Sequence, residues 1–169
     1  MSTNLSLSPA VEAFMTQVTR AGRVHGPELL YDAWVDNELD HETLSVIVPK
    51  VWTSAEYPQG ALDEETWRAI LEDTVFTIDG RQAERPEVVR LYRGAPREFR
   101  DGWAWTADQD VARKFASGGL RGRAVGSVYV ADVPGWRLWF VTNERSEAEY
   151  VIETDGLDIR VCDEGAVSA

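Results

Sequence analysis

Cysteine is nearly absent: Cys162 is the only one in 169 residues. That excludes an intramolecular disulfide and any cysteine-built metal cluster, and a lone thiol fits a reducing cytoplasm. Histidine is almost as scarce. His25 and His41 are the only two, and both stand far in sequence from the acidic stretch near residue 150. A His-based metal site and a Ser-His-Asp triad are therefore not expected, and no metal is. No run approaches the roughly 18 apolar residues that a membrane span needs. Residues 1–10, MSTNLSLSPA, lack the basic start and long apolar core of a signal peptide. Basic charge is also in deficit. Lys and Arg number 17 against 29 Asp and Glu, for a net charge of −12. Neutralising phosphates needs a basic footprint, so the balance argues against nucleic acid as the main partner, as the missing span argues against a membrane.

What the chain does have is apolar mass. Hydrophobic residues make up 44%, with seven Trp and five Phe, enough for an aromatic-rich core. The length fits one domain, or one domain with a helical extension. Charge is unevenly spread. Arg90 to Arg123 carries eight basic residues against four acidic ones, locally +4, which leaves the rest at −16. Such a stretch either pairs with acidic neighbours or attracts a small anion.

Helical spacing dominates the first 78 residues. Ser8-Pro9 reads as an N-cap with proline at the first helical position, opening a helix to about Ala21. Pro27 opens a second helix through Leu30, Ala33 and Trp34. Asp40 caps a third, which is expected to stop or kink near Pro49. Val51 to Leu62 reads as a connection. Asp63 caps a fourth helix, with Trp67, Ile70 and Leu71 on one face. Trp34, Trp52 and Trp67 are read as packing residues. Asp79 to Glu87 is polar and reads as a join.

From residue 88 the pattern changes to short strands, expected at Val88–Tyr92, Gly102–Thr106, Val125–Ala131, Trp136–Val141, Glu147–Ile152 and Leu157–Val161. Between them Thr106 and Gln109 fit a capping box, opening a helix with Val111, Ala112, Phe115 and Ala116 on one face, closed by Gly118-Gly119. Helices first, then strands with one internal helix, indicate an α+β fold. The expected division is a helical region over 1–78 and a β-rich core over 88–162, together one compact domain.

Three features stand in order in the second half. Arg93 ends an apolar strand, VVRLYRGA, where its planar fork could meet a pyrophosphate and Gly94 could let backbone approach. An ordinary salt-bridged arginine is the alternative. GWAWT then runs into the helix; Thr106 can contact a ribose or cap, and Trp103 and Trp105 share a face that either stacks a flat ring or faces the core. Last comes SEAEYVIE, 146–153. In a strand Glu147 and Glu149 project to one side and Tyr150 and Ile152 to the other. Two acids at i and i+2 cannot easily flank a sugar from opposite sides, as a glycoside hydrolase requires. The spacing suits one acid for a developing cation and one for an acceptor.

In this order the residues resemble the ADP-ribosyltransferase superfamily, in the branch whose motifs are Arg, then Ser-Thr-Ser, then Glu-x-Glu. LYRG at 91–94, AWT at 104–106 with VARKFA after it, and SEAE at 146–149 carry the likeness, over Val88 to about Val161. The middle motif departs: Ala104 and Trp105 precede Thr106, its only matching residue. The resemblance implies a split, mostly antiparallel β-sandwich that grips NAD, often with helices added at the N-terminus. It implies that Arg93 holds the NAD phosphates or adjoining ribose, with Gly94, Trp105 and Thr106 completing the NAD-binding set. Glu149 is implied as the catalytic acid and Glu147 as the one that orients or deprotonates the acceptor, a glutamate associated with arginine acceptors. The expected activity is mono-ADP-ribosyl transfer from NAD, as co-substrate, to a protein, whether as a toxin-like factor or a housekeeping one. NAD hydrolysis, or a non-catalytic module that binds a nucleotide or a protein, are the alternatives.

Overall fold

A computed structural model describes residues 8–118, 126–144 and 148–162. The chain is mixed α+β and divides into two compact units. Of the described residues, 8–84 and 139–144 form the first, and 85–138 with 148–162 form the second.

The first unit is built on helices whose starts are written locally. Ser8 accepts from the amide of Val11 (3.3 Å) and opens α1, Pro9–Ala21, which buries Val11, Phe14 and Val18. Helix α2 spans Gly26–Val35 and buries Leu30 and Ala33. Asp40 accepts from the Thr43 amide at 2.7 Å and opens α3, His41–Ser54. This helix does not stop at Pro49. Proline there removes one helical hydrogen bond, but Val46, Ile47, Val48, Val51 and Trp52 are all buried on either side of it, and that burial holds the segment helical. The expected connection over 51–62 is correspondingly shorter, and contains a turn of helix, α4, Pro58–Ala61. Asp63 accepts from Thr66 N at 2.8 Å and opens α5, Glu64–Glu72.

Composition alone makes a join of Asp79–Glu87, yet it holds a hairpin. Strands β1 (Thr77–Ile78) and β2 (Arg81–Gln82) pair antiparallel through Asp79-Gly80, with φ of +51° and +75°. Those dihedrals are what a two-residue hairpin turn requires, and Asp-Gly supplies them. Strand β6, Leu138–Thr142, then pairs parallel with β1 (Thr77↔Phe140, Ile78↔Val141). It belongs with the helices rather than with the later strands because Phe140 is buried against Trp52, 6.2 Å away edge-on, while Trp52 meets Trp67 at 5.3 Å. Trp52 and Trp67 are thus core, as their spacing suggests; Trp34 is half-buried and donates to Asp73 Oδ2 at 2.7 Å.

The second unit is a five-stranded sheet in the order β7-β4-β3-β5-β8: β3 (Val88–Ala95), β4 (Ala104–Thr106), β5 (Ser127–Pro134), β7 (Glu149–Ile152) and β8 (Arg160–Val161). Its pairings are antiparallel. Strands β3 and β5 are registered over eight positions, from Val88↔Pro134 to Ala95↔Ser127. Helix α6, Gln109–Ala116, packs on β3. Its cap is Asp108, accepting from Asp110 N at 2.9 Å, and not Thr106: Thr106 Oγ1 accepts from the Asp108 amide at 3.0 Å instead. Phe115 is 58% exposed rather than buried with Val111, Ala112 and Ala116, because three apolar residues already cover the contact with the sheet.

Candidate active site

The three motif segments, distant in sequence, lie on three neighbouring strands. Register fixes which residues meet. Tyr92 stands opposite Thr106, and Thr106 opposite Glu149. Residues directly opposite in an antiparallel pair share a face, so Tyr92, Thr106 and Glu149 form one row across the sheet. This is the face that α6 covers, since Tyr92 packs on Ala112, Ala116 and Val128. Glu149 is half-buried at the start of β7.

Strand alternation sends the Arg93 side chain to the opposite face at its root. Trp105 and Tyr150, paired across β4 and β7, lie on that face too. Arg93 Nε donates to Phe99 O at 3.0 Å and Nη1 donates to Ala104 O at 2.7 Å. Burial lowers the basicity of the guanidinium, while the carboxylates of Asp101 and Glu149 oppose that. Arg93 is therefore a half-buried cation inside the field of Glu149, with two of its five N–H groups committed to backbone carbonyls.

The remaining expected residues have identifiable packing duties. A Cβ at Gly94 would collide with the carbonyl oxygen of Ala112 and come within 2.6 Å of Ala116 N, so the missing side chain is what lets α6 lie on β3. Trp105 is 2% exposed and donates from Nε1 to Gly102 O at 2.7 Å, which makes it core and not a stacking platform for a ring in solution. Trp103 is 1% exposed on the same terms. Thr106 is 8% exposed with its hydroxyl turned to the α6 start. Glu147, the expected acceptor-side acid, lies outside the described residues, as do Ser146, Gly119, Arg121 and Arg123. Elsewhere in the basic stretch, Arg90 pairs with Asp132 at 2.8 Å and Arg113 with Asp110 at 2.8 Å, the ordinary fate of surface arginines.

Sequence reasoning missed Tyr92 and Gly102. Tyr92 precedes the motif arginine and its place in the row appears only from register. At Gly102 a Cβ would collide with the Arg93 guanidinium; the sole hint was glycine at the head of a tryptophan-rich strand. Among the described residues no cluster of three or more His, Cys, Asp or Glu is placed to hold a metal, and no helix is long and apolar enough to cross a membrane. Comparison with family models, curated proteins and solved structures finds no match to the chain.

Proposed function

We propose that the second unit is an ADP-ribosyltransferase-like domain that uses NAD to modify a protein acceptor in the cytoplasm. The observation that carries the reading is the row Tyr92–Thr106–Glu149: the segments that resemble the family's three motifs occupy adjacent strands in one register. Glu149 is half-buried, which places a carboxylate in a partly dehydrated setting. That is where it would act most strongly on positive charge developing at a sugar. In the proposed reaction the bond between the ribose anomeric carbon and the nicotinamide nitrogen breaks. The electron pair leaves with nicotinamide, Glu149 stabilises the oxocarbenium-like sugar, and the acceptor's nucleophile closes on the same carbon as its proton passes to a base, Glu147 by resemblance.

Incubation with labelled NAD, with and without cell lysate, tests this. Nicotinamide release and transfer of label to protein are expected, and Glu149→Gln should abolish both while leaving the circular dichroism unchanged. Wild type and variant equally silent would refute it. Release without label transfer would mean that water is the acceptor.

One observation favours a second reading. Arg93, Gly94, Trp105 and Thr106 are each accounted for by packing or by hydrogen bonds within the fold. A non-catalytic relative that binds a nucleotide through the same unit would keep those duties. Titration calorimetry separates the two: NAD binding without turnover belongs to the non-catalytic module.

A further inference from the structure

We propose that Arg93 is a positioning residue that sets the register of β4 against β3, and with it the place of the Thr106–Glu149 pair beside Tyr92, rather than a contact for NAD phosphates. The inference rests on the proposed function only for its kinetic readout. Strand β4 has three residues, and its ladder with β3 registers one pair, Tyr92↔Thr106, against eight pairs between β3 and β5. Against β7, by contrast, β4 registers three pairs, Thr106↔Glu149 among them, so the weak seam is the one to β3: a slip of one residue there would take the Thr106–Glu149 pair out of line with Tyr92.

The Arg93 side chain supplies what that ladder lacks. Its Nη1 reaches the carbonyl of Ala104, the first residue of β4, and its Nε reaches the carbonyl of Phe99, in the 3-10 turn Arg97–Phe99 before it. One rigid fork thus fixes both ends of the segment leading into β4. The same segment is met from other sides. Trp105 Nε1 donates to Gly102 O (2.7 Å), Ile152 N to Trp103 O (3.0 Å) and Thr154 Oγ1 to Asp101 O (2.6 Å). Gly102 has no side chain where the guanidinium lies. A half-buried charge answered by two carbonyls of its own fold is arranged for holding backbone, since each bond made inside the protein is one not offered to a ligand.

Arg93→Lys separates the roles, because it keeps the charge and loses the fork. Amide exchange at Gly102 and Ile152 in the variant is expected to quicken roughly tenfold or more as their bonds to Phe99 O and Trp103 O loosen. Nicotinamide release at saturating NAD should fall while the salt dependence of KM stays as in wild type. Unchanged exchange with a raised KM and a flatter salt dependence would overturn the proposal in favour of a phosphate contact. Gly102→Ala provides a second arm with Arg93 intact: its methyl group should displace the guanidinium and quicken exchange at the same two amides, and protection equal to wild type would also overturn it. If the wild-type protein releases no nicotinamide, the proposed function fails by itself, and the two exchange measurements still decide what Arg93 does.

Discussion

Gly94 and Gly102 flank one loop and respond differently to a single methyl group. At Gly94 the obstruction is the backbone of α6, at Ala112 O and Ala116 N, which cannot move without the whole helix. Gly94→Ala should cost about 1–3 kcal/mol in urea unfolding, the usual range for overpacking. At Gly102 the obstruction is the end of the flexible Arg93 side chain, so Gly102→Ala should cost distinctly less. Equal losses would contradict the packing described. Neither role is legible in the sequence. Glycine after a strand arginine reads equally well as close approach to a ligand, and only the position of α6 decides otherwise. Trp103 and Trp105 were legible as sharing a face, and the register makes it a buried one.

Elements whose signals are local were legible. Ser8, Asp40 and Asp63 each cap the helix that follows them, since a cap needs only the next three residues. Asp40→Ala should destabilise the protein by about 1 kcal/mol at neutral pH, the ordinary worth of an N-cap. The Thr43 backbone N–H, and then its side chain, hold the Asp40 carboxyl below the usual carboxylate range. A folded-state pKa that is depressed contributes stability above the unfolded value, about 3.9, and loses it as pH falls through the folded one. The melting-temperature gap between wild type and Asp40→Ala should therefore be constant from pH 7 to 5 and narrow below about pH 4. A gap that widens in acid would contradict the assignment. Asp79-Gly80 carried a hairpin signal that polar composition obscured. Nothing local announced that β6 would pair with β1, a parallel contact between distant segments. Phe140 and Trp52 make that pairing worthwhile, and Trp52→Ala should cost about 3–5 kcal/mol, measured by denaturant unfolding.

At the scale of the whole chain, the α+β class was readable from the change of period near residue 88, and the order of the motif strands was not. Helical and strand spacings are properties of neighbouring residues, whereas β7-β4-β3 adjacency joins positions 92, 106 and 149. Within the basic stretch, Arg90 and Arg113 pair with Asp132 and Asp110, and Arg93 donates to the backbone carbonyls of Phe99 and Ala104. What the fold adds to the motifs is a row of residues that a ligand should perturb together. Backbone amide spectra recorded while NAD is added to the wild-type protein test this most directly. The account predicts saturable shifts at Tyr92, Arg93, Thr106 and Glu149–Val151, with α1 and α2 unmoved; no shifts, or shifts confined to the helical unit, would contradict it.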